Sequence, residues 1–99
     1  MTLNDVNQVG LFHERPLHVA CVRGIMEEIE ALVEGGADVN ATGELGNTPL
    51  HEAVGHGRKE VIRFLLERGA SRSATNERGE TPLDLAKAGV RHEIIELLA

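Results

Sequence analysis

The chain of 99 residues predicts an all-α repeat solenoid, and two observations carry that expectation. The first is a period. Arg15-Pro16-Leu17-His18, Thr48-Pro49-Leu50-His51 and Thr81-Pro82-Leu83-Asp84 stand 33 residues apart. The same offset links Gly36-Ala37 to Gly69-Ala70, Ala20 to Ala53 to Ala86, Gly24 to Gly57, and Leu32 to Leu65 to Leu98. A fixed period of about 20–50 residues marks supersecondary units that bury their apolar faces only by stacking on one another. The second observation is the material available for a core. Apolar residues make up 41% of the chain but aromatics only 2%, so Leu, Val, Ile and Ala must fill the interior. Such side chains suit close helix-to-helix stacking better than a large-cored sandwich.

Taken in order, the units span about residues 10–42, 43–75 and 76–99, forming one domain. Each reads as helix, turn, helix and then an extended hairpin. In the second unit Thr48 is a good N-cap and Pro49 suits the first helical position. The first helix is predicted to run to about His56, with Gly57 breaking it. The second helix starts near Arg58, and Val61, Ile62, Leu65 and Leu66 form one buried stripe. Gly69 ends it as a residue able to take positive φ. The stretch from Ala70 to Gly79 is short and turn-rich, consistent with a protruding hairpin. Ahead of the first unit, residues 1–9 supply a partial hairpin strand, since Asp5-Val6-Asn7 lies 33 before Asp38-Val39-Asn40.

The segments TPLHEAVGHG, VIRFLLERGA and GADVNATGELGNTPLH, which lie between 36 and 70, resemble the ankyrin repeat. The resemblance covers nearly the whole chain. It implies an ankyrin stack of antiparallel helix pairs joined by β-hairpin loops, with the hairpins projecting at right angles. It also implies a concave face of hairpin tips and first helices that binds proteins. The motif residues Pro16, Leu17, His18, Thr48, Pro49, Leu50, His51, Thr81, Pro82 and Leu83 then belong to the framework. The resemblance gives His18 and His51 a hydrogen bond between neighbouring units.

The departures from the family pattern fall in the outer units. Arg15 replaces the N-capping Thr, and Glu28 stands where the second unit has Val61. Asp84 replaces the motif His, and Val90 stands where Gly is expected. Lys87, Arg91, Glu93 and Glu96 would keep a terminal face soluble, as a capping repeat requires. Arg15, Glu28 and Val90 argue against an idealised consensus scaffold without a natural partner.

The net charge is −6, and residues 1–42 carry most of it, with seven acids against two bases. Nucleic acid is disfavoured as a partner because its backbone needs a basic patch. A protein with a basic surface is favoured instead. The single Cys21 leaves no internal disulfide, which suits a reducing compartment. The opening residues carry no secretion signal, and no apolar run reaches membrane-spanning length, so the default address is cytoplasmic.

Chemistry-bearing residues are present but are not arranged for chemistry. No His pair stands at i, i+4, so a metal site is not expected. Cys21 falls on the first helix with no base partner evident, which makes it a small buried thiol. Glu27, Glu28, Glu30 and Glu34 describe a solvated face. No phosphate-binding glycine motif occurs. No catalytic residue and no cofactor are therefore expected. The segment LVEGGADVN, 32–40, resembles the setting in which ankyrin asparagines are hydroxylated, and is equally the ordinary approach to the hairpin.

Contact residues should be those that differ between units and project from the hairpins or the concave helix side. They are Phe12, Glu14 and Arg23, then Thr42, Glu44, Leu45, Asn47 and His56, then Glu77, Arg78 and Glu80. Phe12 and Leu45 map to hairpin tips, where an apolar side chain among polar neighbours can anchor a partner. Phe12 has a second role open to it, folding back as a cap over the first helix. The expected function is a protein–protein interaction module that acts as a monomer. A small acidic inhibitor or immunity protein that blocks a basic toxin or enzyme is the alternative. A metal-dependent or catalytic protein is the more distant one.

Overall fold

The computed structural model describes residues 16–99. Six α-helices follow in pairs: α1 (Pro16–Arg23) with α2 (Met26–Glu34), α3 (Pro49–Gly55) with α4 (Lys59–Glu67), and α5 (Pro82–Ala88) with α6 (His92–Leu98). Among the described residues there is no strand. The expected hairpins are instead loops closed by turns, including a 3₁₀ turn at Glu44–Gly46. Much of the loop backbone bonds within its own turn or to a side chain, which leaves no ladder to form.

The repeated motif sets where the helices begin. The Thr48 side chain accepts from the His51 backbone N–H, and the His51 ring returns the bond by accepting from the Thr48 N–H. This capping box satisfies donors that the first turn leaves open, and Pro49 lacks the N–H that would otherwise be orphaned. Thr81, Pro82 and Asp84 repeat the arrangement with a carboxylate in place of the ring.

Each first helix ends one or two residues ahead of a left-handed one. Gly24 and Gly57 have φ of 72° and 69°. Behind them Arg58 N–H bonds the Ala53 carbonyl at 2.9 Å and Gly57 N–H bonds that of Val54 at 3.1 Å, the Schellman pattern. The third unit makes the same turn, with Arg91 bonding Ala86 and Val90 bonding Lys87. There Val90 is forced to a φ of 51°. A β-branched residue is poorly suited to that backbone.

The pairs stack in chain order: α1 against α3 and α3 against α5, with α2, α4 and α6 forming the second layer. Ala20, Ala53 and Ala86 are buried on the first helices, and their small side chains allow the close approach. Leu17, Leu50, Ile29, Ile62, Leu65 and Val61 fill the space between layers. Glu28 is exposed at the position where Val61 and Ile94 are buried, so the outer side of the first unit is polar there. At the other end Leu83 and Ile95 are only half-buried, although their counterparts Leu50 and Ile62 are fully covered.

Candidate interaction surface

Between the helix pairs, polar groups tie each unit to the next. His18 Nε2 lies 2.9 Å from the Asn47 carbonyl oxygen, and His51 Nε2 lies 2.8 Å from that of Glu80. For His51 the tautomer follows from its neighbours. Nδ1 accepts from the Thr48 N–H, so Nε2 carries the proton and donates to Glu80. Asn40 clips two loops together: its amide donates to the Gly69 carbonyl, and its oxygen accepts from the Ser71 N–H at 2.8 Å. On the opposite edge Arg58 donates to the Val22 carbonyl and Arg91 to that of Gly55.

These ties hold the loop tips in place. Gly43 N–H bonds the Asn47 carbonyl at 2.8 Å, and Asn76 N–H bonds that of Glu80 at 3.0 Å, closing the two tips alike. The Asn76 side chain accepts from the Arg78 and Glu80 N–H groups while its amide donates to Asn47 Oδ1 and to Glu80 Oε1. The Glu77 N–H donates to the Leu45 carbonyl at 3.0 Å, joining one tip to the next. Gly46 is required at this junction. Its φ is 72°, and a Cβ there would sit 3.0 Å from the Glu77 nitrogen.

Leu45 is the feature that this framework presents. It sits at φ 60°, ψ 18°, a left-handed backbone that Leu rarely takes, and its side chain is 51% exposed. Thr42, Glu44, Glu77, Arg78 and His56 are exposed around the same tips and helix ends. His56 caps α3, and its ring Nδ1 lies 3.0 Å from the Glu52 carbonyl. Arg23 is exposed and pairs with Glu28 at 3.7 Å. Asn47 and Glu80 are half-buried, because their carbonyls receive the histidines and their side chains meet Asn76. Phe12 and Glu14 lie outside the described residues.

The motif residues occupy the interior as the repeat requires. Leu17, His18, Thr48, Pro49, Leu50, His51 and Pro82 are buried, and Pro16, Thr81 and Leu83 half-buried. A family model of ankyrin repeats in many copies matches residues 32–86, and a second model, of the single ankyrin repeat, matches residues 12–41. The chain belongs to the ankyrin-repeat family. None of the curated proteins matches it. Ankyrin repeats in general are non-catalytic modules that mediate protein–protein interaction.

Two residues of this ankyrin surface escape a reading by repeats. Val19 is 37% exposed on α1, and Asn76 organises the third loop. Neither recurs at the period, since Val19 aligns with Glu52 and Asn76 with Gly43. The run Asn76-Glu77-Arg78-Gly79 is a turn pattern in which an Asn side chain bonds backbone two residues on, and that signal was available. Cys21 is fully buried, and burial, helped by the charge of Glu52, pushes its thiol up to about 12. Among the described residues no three His, Cys, Asp or Glu side chains could together hold a metal ion. No helix among them is long and apolar enough to cross a membrane.

Proposed function

We propose that this ankyrin-repeat chain is a protein-binding module that grips a partner with its loop tips and the exposed side of its first helices. The observation that carries the proposal is Leu45, an apolar side chain held outward at φ 60° on a tip that is hydrogen-bonded to the next one. Preorganisation of this kind limits the ordering entropy lost on binding. Phe12, Glu14, Arg23, Thr42, Glu44, Asn47, His56, Glu77, Arg78 and Glu80 complete the contact set. The chain acts as a cytoplasmic monomer, with its loops serving the part of the family's β-hairpins.

The test is an affinity pull-down with the full chain as bait, repeated with the Phe12→Asp, Leu45→Asp double variant. Asp tolerates the left-handed backbone at 45, so folding is preserved there. Loss of the captured protein with unchanged helicity is the expected result. Capture by the double variant at full strength would sink the surface assignment. The net charge of −6 favours a partner with a basic surface. A small inhibitor that blocks a basic toxin or enzyme is one form such a module can take, and inhibition of the captured protein would identify it.

A further inference from the structure

Among the described residues three large apolar side chains are exposed: Val19, Leu45 and Val90. Val90 is accounted for by the turn it occupies. Val19 and Leu45 each line a groove between a loop tip and a first helix. The first groove, of about 190 Å³, is lined by Val19 and Val22 together with two acids, Glu44 and Glu52, and Glu52 Oε1 also accepts from Asn47 Nδ2 at 3.5 Å. Arg23 also lines it, but its guanidinium is turned to Glu28. His18 lines it too, with Nε2 engaged by the Asn47 carbonyl. The second groove, of about 140 Å³, is formed by Leu45 and Leu85 with Asn47, Asn76, Arg78 and Glu80 around them. Glu44 and Leu45 are adjacent, so the two grooves share one tip.

The chemistry of the two differs. A trough lined by two valines and two acids suits a lysine or arginine, whose methylene stem packs on the walls while its charge meets the acids. A trough between two leucines suits an aliphatic side chain. We infer that the partner engages the Leu45 tip with a protein segment that places a lysine or arginine between Val19, Glu44 and Glu52 and an aliphatic side chain between Leu45 and Leu85. This inference rests on the protein-binding function proposed above and names the chemistry of its partner.

The test uses a phage-displayed library of random heptapeptides, panned against the immobilised full chain. Selected peptides are synthesised and titrated by fluorescence anisotropy against the wild type, Glu44→Gln, Glu44→Gln with Glu52→Gln, and Leu45→Asn. Asn accepts the left-handed backbone and removes only the apolar surface. The expected peptides combine a basic with an aliphatic residue. They should lose about tenfold in affinity for the doubly neutralised chain and about tenfold for Leu45→Asn. Glu44 is exposed, so Glu44→Gln alone reports on the charge contact even where the double variant melts early.

Peptides that lack a basic residue, or that depend on Leu45 but not on the two acids, would overturn the inference and leave the binding function standing. Peptides indifferent to every variant, or an empty selection, would overturn both. Concentration-dependent dimerisation abolished by Leu45→Asn would assign the grooves to a second copy and also overturn the proposed occupant.

Discussion

His51 donates from Nε2 to the Glu80 carbonyl 2.8 Å away while its Nδ1 accepts from Thr48, so one ring both caps its own helix and fastens the next unit. Asp84 holds the equivalent place in the third unit, and it caps Thr81 without a bond onward. Removing His51 should therefore cost two different things. His51→Ala should destabilise by about 3 kcal/mol, since a buried N–H at Thr48 and a half-buried carbonyl at Glu80 lose their partner. His51→Asn, which can still cap, should cost clearly less. Urea unfolding of the two variants checks the order, and equal losses would mean that the cap contributes nothing.

Val90 takes a φ of 51° where Gly24 and Gly57 take 72° and 69°. Its side chain is 65% exposed, so little packing is lost on removing it. Val90→Gly should raise stability by about 1 kcal/mol, by relieving the left-handed strain of a β-branched residue. The reciprocal change, Gly24→Val, should lower the melting temperature, because the added Cβ would also stand 2.9 Å from Arg58 Cδ. A lower melting temperature for Val90→Gly would contradict this account.

Cys21 is sealed in the core, and its thiol is pushed up to about 12 by burial first and Glu52 second. Labelling by a maleimide at neutral pH should be about 100-fold slower in the folded chain than in urea, because both access and thiolate are missing. Cys21→Val should melt within a few degrees of the wild type, since Val54 fills the equivalent buried place. Fast labelling of the folded chain would place this thiol in an opening segment.

Two carboxylates should make the fold acid-sensitive. Bonds from the Thr81 backbone and hydroxyl groups hold Asp84 below its ordinary value of 3.8, and Lys59 does the same for Glu93 from its value of 4.5. A folded-state pKa below the unfolded one gives stability that is full above the unfolded value and is lost as pH falls through the folded one. Asp84→Asn keeps an accepting oxygen toward Thr81 without titrating. Urea midpoints between about pH 2 and pH 5 should thus fall less steeply for Asp84→Asn than for the wild type. Parallel curves would show that the Thr81 bond does not titrate.

The framework was legible because its physics recurs. Thr-Pro at 48 and 81 announces two helix starts, Gly57 and Gly69 announce two left-handed turns, and alanines at 20, 53 and 86 announce close packing. A period shows what every unit needs, and so it is blind to what one unit does alone. Val19 and Asn76 have no counterpart of the same kind, and the groove between Leu45 and Leu85 joins residues 40 apart that share no motif. The half-burial of Asn47 and Glu80 was hidden for a related reason. Their side chains vary between units, while the contact that fixes them runs through their backbone carbonyls.

The ties from one unit to the next reach only to the adjacent unit: His18 to Asn47, Asn40 to Gly69, His51 to Glu80, Arg91 to Gly55. Chain ends far apart in sequence need never meet for any of them to form. Folding can therefore start in one place and spread by neighbours, with little loop entropy lost at each step. The middle unit is held from both sides, so its amides should exchange with solvent last and the outer pairs should fray first. The Leu45 tip belongs to that last-opening unit, which keeps its shape after the ends have begun to loosen.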